Sequence, residues 1–236
     1  MLKYRLISAN DDTNRIIYSN IGVSRNDTFV GRTLIYVNYL YIKMGTLNIS
    51  IKKYVVLHGE PKVGITLFQY QLQTNMSFDT SQIESTYGIS YEEYSIKDTD
   101  LGIFDLSGSL KQYKMTNVVT KFVDISGIIF ILSMKDIDKI DEARESLERV
   151  LSNNYLNLNL CLFVLYNKKS TEDKLDWMDK ELLDNRLGLK KVVKKFKLKS
   201  YISKILNIKE CKNEMIECLC KFESELKNTD DNRKNK

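Results

Sequence analysis

Histidine, proline and cysteine are scarce in this chain, whose 236 residues include one histidine, one proline and four cysteines. The single histidine, His58, argues against a histidine-rich metal site and against catalysis by a Ser/His/Asp or Cys/His arrangement. The cysteines form no CxxC pair, which argues against a zinc site; they are Cys161, Cys211, Cys218 and Cys220. We therefore expect buried thiols in a reducing compartment, and we assign no catalytic residue.

Long apolar runs are also lacking. No run approaches the roughly 18–20 residues that cross a bilayer, and residues 1–15 lack the apolar core and cleavage site of a secretory signal. The 43% hydrophobic and 28% charged content is typical of a soluble globular protein. The net charge of +5 is mild, so it permits contact with anionic membranes or acidic partners without requiring it.

Short apolar runs alternate with helical patterns from Lys52 onward. The runs YVVL, SGIIFILSM and NLCLFVLY are typical of buried strands, and GISYEEYSIKDTDLGIFDLSG predicts a β-hairpin. The predicted helices are ITLFQYQLQ, residues 136–152, KLDWMDKELLDNRLGL ending near Gly188, and NEMIECLCKFESEL. This alternation predicts an α/β fold with a largely parallel sheet.

The segment GEPKVGIT, Gly59 to Thr66, lies between a predicted strand and a predicted helix. It matches the phosphate-binding pattern G-x-x-x-x-G-K-[S/T], except that Ile65 occupies the lysine position. Ligands of parallel α/β sheets bind beyond the carboxyl ends of the strands. We therefore expect GEPKVGIT to meet the loops SGS and NKKS, which follow the strands IFDL and FVLY, in one crevice.

The order and spacing of four segments resemble the small GTPases, and within them the ADP-ribosylation factor (Arf) and Arf-like family. The segments are GEPKVGIT, TYG at 86–88, FDLSGS at 104–109 and NKKS at 167–170. The resemblance implies the P-loop fold, a central, mostly parallel six-stranded sheet flanked by helices, over residues 50–226. It leaves an N-terminal extension of uncertain structure at 1–49 and a polar tail at 227–236, which we expect to be disordered.

The resemblance implies a site for GTP or GDP with Mg²⁺. The nucleotide-binding positions that it implies are Gly59, Pro61, Lys62, Val63, Gly64, Ile65, Thr66, Gly108, Asn167 and Lys168. The implied magnesium positions are Thr66 through its hydroxyl, Asp105 through water, and Thr86, which also senses the γ-phosphate. Phe104 replaces the family's tryptophan at the end of the hairpin, where it could still serve as an apolar contact.

Three departures from the family pattern put nucleotide binding and turnover in doubt. Ile65 replaces the lysine that reaches the phosphates, Ser109 the glutamine that orients the attacking water, and Ser170 the aspartate that reads the guanine edge. Two interpretations stay open. Either the site has decayed and the fold is a pseudo-GTPase scaffold, or Lys62 compensates from within the loop and GTP is still bound. Whether the chain hydrolyses GTP also stays open.

The resemblance implies effector or coat proteins as partners, bound through the switch and inter-switch surface in vesicle or membrane trafficking. We expect a cytoplasmic protein, and peripheral contact with the Golgi or another endomembrane stays open. A weaker alternative is a stable membrane-targeting subunit, similar to the β subunit of the signal-recognition-particle receptor. KKVVKKFKLK, residues 190–199, either contacts anionic lipid or RNA or is a solvated face. Phe196 is its only aromatic residue and gives no interleaved pattern that suggests base stacking, so nucleic acid is not an expected partner.

Overall fold

One six-stranded sheet forms the centre of the protein in the computed structural model. The structure describes residues 51–73, 90–96, 99–105, 116, 119–156, 160–168 and 179–234. The strands are β1 Ile51–His58, β2 Ser90–Ile96, β3 Thr99–Asp105, β4 Ile125–Ser133, β5 Cys161–Asn167 and β6 Ser200–Leu206. Their order is β2-β3-β1-β4-β5-β6, and only the β2–β3 pair is antiparallel. The predicted mostly parallel sheet and its hairpin are confirmed.

Helices cover both faces of this sheet. The helices whose bounds are described are α1 Ile65–Gln73, α2 Ile140–Leu151 preceded by a 3₁₀ turn at Met134–Lys139, α3 Lys180–Leu187, α4 Leu189–Phe196 and α5 Lys212–Lys234. Residues 119–122, before β4, are also helical. The Asp179 side chain accepts a hydrogen bond from the Leu182 amide at 2.7 Å, which caps the start of α3. Gly188, at φ 72°, ends α3 in the left-handed conformation, as the sequence predicts.

The core has two layers because consecutive strand residues point to opposite faces. In β4, Ile128 and Phe130 pack with α2, α3 and α4 on one face. Ile129 and Ile131 pack with α1 and α5 on the other. Burial on both faces explains why the sequence of β4 is a continuous apolar run and does not alternate with polar residues.

Two elements differ from the sequence expectations. Strand β6 was not singled out, because it lies at the sheet edge and most of its residues are half-exposed, so its sequence SYISKIL mixes polar and apolar positions. Helix α5 continues to Lys234, whereas a disordered tail is predicted from residue 227. Residues 207–236 contain neither glycine nor proline, so no residue of that kind ends the helix. The predicted extension at 1–49 lies outside the described residues.

None of the helices in the described part of the chain is both long enough and apolar enough to cross a bilayer.

Candidate functional site

The loop from Gly59 to Gly64 joins the end of β1 to the first turn of α1. Two of its residues have positive φ, Lys62 at 68° and Gly64 at 110°. Alternation between right-handed and left-handed backbone is typical of the nests in which successive amides surround an anion. The first free N–H groups of α1 follow directly, and helix N-termini favour phosphate. The backbone therefore has the form of a phosphate-binding loop.

Both glycines of the loop are required by close packing. A Cβ atom at Gly59 would lie 2.3 Å from the carbonyl oxygen of Ile131 in β4. At Gly64 it would lie 2.6 Å from Nδ2 of Asn167, and the φ of 110° is unfavourable for any other residue. The two glycines of the sequence motif are thus explained by steric requirements of the fold.

Asn167, the buried last residue of β5, joins the loop to the end of β6. Its Nδ2 donates a hydrogen bond to the carbonyl of Val63 at 2.8 Å, and its Oδ1 accepts one from the amide of Ile208 at 3.2 Å. The amide of Lys168 donates to the carbonyl of Leu206 at 2.8 Å. The structure therefore brings together GEPKVGIT and the start of NKKS, two of the three loops expected in one crevice.

The turn after β6, residues 207–210, was missed by sequence reasoning. Ile208 is fully buried against the loop, and Gln71 of α1 donates a hydrogen bond from Nε2 to the carbonyl of Lys209 at 3.1 Å. Within the turn, Oδ1 of Asn207 accepts from the Lys209 amide at 3.1 Å. Asparagine commonly makes this Asx-type bond in turns, so Asn207 is the sequence signal that could have identified a turn here.

Ile65 occupies the position of the motif lysine, and its side chain is only 4% exposed. It belongs to the cluster of α1, α5 and one sheet face, together with Phe68 and Ile208. Val63 is buried in the same cluster, whereas Pro61 and Lys62 are exposed at the outer side of the loop. An aliphatic side chain cannot donate a hydrogen bond to phosphate, so the loop has the backbone of the motif without its cation.

A model of the ADP-ribosylation factor family matches residues 43–224. The chain belongs to the ADP-ribosylation factor family. Two solved structures share its fold at a TM-score of 0.56 each. The Arl6 BBS3 small GTPase from Trypanosoma brucei, solved with the nucleotide analogue GppNp, is 14% identical; the match covers 75% of this chain and 98% of that one. A chain of the mammalian SRP receptor is 17% identical, with 72% and 100% covered.

In this Arf-family chain, two of the three predicted magnesium positions are described. Asp105 is fully buried at the end of β3, where it pairs in register with Leu57 beside the loop, and Thr66 is half-buried in the first turn of α1. Carboxylate and hydroxyl oxygens are ligand types that suit Mg²⁺, which commonly takes its remaining ligands from water and phosphate. The donor types therefore fit the metal. Thr86, Gly108, Ser109 and Ser170 lie outside the described residues.

His58 directly precedes the loop and packs as part of the core. Its Nε2 lies 3.1 Å from Oγ of Ser146, and its ring stacks on Phe130 with 5.7 Å between centroids. Burial, and secondarily the charge of Arg149, lowers the pKa of His58 to about 4, although the hydrogen bond with Ser146 opposes the shift. The imidazole is therefore neutral near pH 7 and supports the strand end of this Arf-family fold.

Phe104 is not an exposed apolar contact. Its side chain is 1% exposed, and its ring centroid lies 4.7 Å from that of Tyr91 and 6.2 Å from that of Tyr54. These two tyrosines, on the neighbouring strands β2 and β1, cover the ring and separate it from solvent. The hydroxyl of Tyr91 donates to Oε1 of Glu93 at 3.1 Å. On the described part of the hairpin, tyrosine and glutamate are half-exposed and the phenylalanine is not.

Proposed function

We propose that this Arf-family protein is a pseudo-GTPase, an interaction scaffold that binds guanine nucleotide weakly or not at all. The observation that carries the proposal is the buried side chain of Ile65 at the position of the phosphate-binding lysine. A hydrogen bond between a charged side chain and phosphate contributes about 1.5–3 kcal/mol. Its loss alone weakens binding by about 10-fold to 150-fold.

The hydrogen bonds around the loop fix its position relative to β5, β6 and α1, which a scaffold requires. Asn167 joins Val63 to Ile208, and Gln71 joins α1 to the turn after β6. These bonds hold the carboxyl ends of β1, β5 and β6 together through protein groups alone. A scaffold needs this kind of pre-organised surface, because ordering a surface upon binding reduces affinity.

The affinity for GTP and GDP, with and without Mg²⁺, tests this function. Isothermal titration calorimetry on the full chain should find no saturable binding below about 1 mM, which corresponds to a binding free energy weaker than about −4.1 kcal/mol. Mg²⁺-dependent binding of either nucleotide with a submicromolar dissociation constant would overturn the proposal of a pseudo-GTPase scaffold. A fluorescent GDP analogue, displaced by unlabelled GDP, gives an independent readout at low protein concentration.

A nucleotide-dependent switch is the second candidate, and the loop backbone favours it. Positive φ at Lys62 and Gly64 supports an anion nest, and Asn167 retains one amide N–H and one oxygen lone pair for a base. In this version Lys62 supplies the missing cation, and Thr66, Asp105 and Thr86 serve Mg²⁺. Lys62→Ala should then abolish measurable GTP binding, whereas Lys121→Ala, an exposed residue that precedes the start of β4 at the opposite end of the sheet, should leave it unchanged.

The proposed partner is an effector or coat protein in vesicle or membrane trafficking, bound through the switch and inter-switch surface. Tyr91, Glu92 and Glu93 on β2 belong to the described part of that surface, and all three are half-exposed. We propose a cytoplasmic location with peripheral attachment to the Golgi or another endomembrane. Imaging of the tagged full chain against organelle markers tests the location, and a uniform nuclear and cytoplasmic signal would contradict the attachment.

A further inference from the structure

Helix α4 carries a continuous face of lysines. Lys190, Lys191, Lys194 and Lys195 are all exposed, and Lys197 follows them at the end of the helix. At 3.6 residues per turn the four helical lysines lie within an arc of roughly 140° on a segment about 12 Å long. We call these five lysines the basic face.

The opposite side of α4 is anchored in the core. Leu189 and Val192 are buried in the cluster that covers β4 and β5, and Val193 and Phe196 pack against the same cluster. This anchoring fixes the lysines in an outward direction. It also leaves the apolar side of α4 unavailable for insertion into another surface, so any contact made by this helix relies on charge.

Neighbouring charges neutralise little of the basic face. Among the described residues, Lys195 forms an ion pair with Glu148 of α2, and the side chains of Lys190, Lys191 and Lys194 form none. Arg144 of α2, which lies near the Gly188 junction, pairs with Asp141. The charge of the face is therefore strongly positive despite the acidic residues of α2.

The stability of α4 itself does not explain these lysines. Lys194 and Lys195 stand in the last turn, where positive charge interacts favourably with the helix dipole. Lys190 and Lys191 stand in the first turn, which has no acidic residue and where positive charge is unfavourable. The pairs Lys190–Lys194 and Lys191–Lys195 are also four residues apart, a spacing at which like charges repel. A role in binding accounts for both features.

We propose that the basic face of α4 docks this protein on an anionic membrane surface. Lysine ammonium groups on flexible stems suit a diffuse layer of lipid phosphates and carboxylates, whereas bidentate recognition of one group favours arginine, which the face lacks. Phe196, the one aromatic residue among these lysines, is half-buried against the core, and Nζ of Lys195 lies 5.1 Å from its ring centroid. The face therefore offers no fully exposed ring for the base stacking that is typical of single-stranded nucleic-acid binding. The docking is peripheral and does not depend on nucleotide.

Vesicle co-sedimentation of the full chain tests the proposal. Phosphatidylcholine vesicles with about 30% phosphatidylserine should bind the protein at about 0.05 M salt and release most of it at about 0.3 M, whereas pure phosphatidylcholine should not bind it. The test variant is Lys190→Gln with Lys191→Gln. Each lysine near an anionic surface contributes about fivefold, so the double variant should bind about 25-fold more weakly.

The matched control removes two exposed lysines from outside the face, Lys121→Gln with Lys139→Gln, and should bind within about twofold of the unmutated chain. Loss of binding through unfolding is checked by thermal melts. Removing positive charge from the first turn should leave α4 as stable as before or more stable. Equal loss in both variants would overturn the proposal, as would binding to pure phosphatidylcholine. Binding only to a polyuridine RNA or a polyglutamate peptide would also overturn it and assign the face to that class of partner.

Discussion

Replacing Ile65 by lysine tests the assignment of the loop most directly. The Ile65 side chain is 4% exposed and packs with Phe68 and Ile208. Removing this side chain from the core loses the roughly 1.5–3 kcal/mol of stabilisation that its burial contributes. An ammonium group cannot stay in that apolar site, so the lysine stem must extend along the loop until its head reaches water. We expect Ile65→Lys to reduce the free energy of unfolding by about 2–4 kcal/mol in the absence of nucleotide.

The same substitution should create phosphate affinity. Positive φ at Lys62 and Gly64 favours an anion nest, so we expect the new ammonium to add a charged hydrogen bond that strengthens binding by about 10-fold to 150-fold. A serine lacks the carboxylate that accepts two hydrogen bonds from a guanine edge, so we expect GTP and ATP to bind with similar affinity. Urea unfolding with and without Mg²⁺ and nucleotide measures both effects, because ligand at 100 times its dissociation constant adds about 2.7 kcal/mol of stability.

Ile65→Met is the matched control. Its volume and polarity are close to those of isoleucine, so it should change stability by less than about 1.5 kcal/mol and leave nucleotide binding unchanged. If Ile65→Lys were as stable as the unmutated chain without nucleotide, the burial of Ile65 would not contribute to the core as described. If Ile65→Lys folded but gained no affinity, the missing lysine would not be what limits binding.

Three further predictions concern stability, each measured by urea unfolding. Asp184→Ala should lower the free energy of unfolding by about 3–5 kcal/mol, because the buried Asp184 carboxylate accepts hydrogen bonds from Tyr166 at 3.0 Å and Ser203 at 2.7 Å. Tyr166→Phe, which removes only one of these bonds, should lower it by about 1 kcal/mol. Asn167→Ala should cost about 2–4 kcal/mol through two lost hydrogen bonds and a cavity, and a loss under 1 kcal/mol would contradict its role in joining the loops. The pKa of His58 is about 4 when folded, so the unfolded chain takes up the proton first. The contribution of His58 to the free energy of unfolding is therefore constant above about pH 6.5 and falls by up to about 3 kcal/mol towards pH 4. His58→Gln should remove that component, and identical pH profiles would contradict it.

The sheet was predictable from sequence because its central strands are buried on both faces. Such strands read as continuous apolar runs, and β1, β4 and β5 are of this kind. The hairpin and the end of α3 at Gly188 were also predictable, since turn residues and a glycine stop are local signals. Edge strand β6 has no such signal, because its residues are mostly half-exposed. Helix α5 continues beyond residue 226 through a polar segment that contains no glycine or proline to end it, and polarity alone suggested disorder there.

The burial of individual site residues was not predictable, because contacts distant in sequence decide it. Phe104 is covered by rings from two neighbouring strands, one of which lies 50 residues earlier in the chain. Ile208 meets the loop only because β6 pairs with β5, which places the turn at 207–210 beside Asn167. The direction of the Ile65 side chain depends on both the loop backbone and the helices packed on that face.

The residues in and around this loop have two different roles, one in the fold and one in phosphate binding. Gly59, Gly64 and Asn167 are needed by the fold itself, because a side chain at either glycine would collide with β4 or with Asn167, and Asn167 bonds two protein segments. A protein that never binds nucleotide would need them just as much. The lysine of the motif serves only the phosphate, and position 65 instead contributes to the core. The two glycines and Asn167 are therefore evidence of the fold alone. Of these four positions, only position 65 is informative about phosphate binding. Substitution of Ile65 therefore discriminates between the scaffold and the switch.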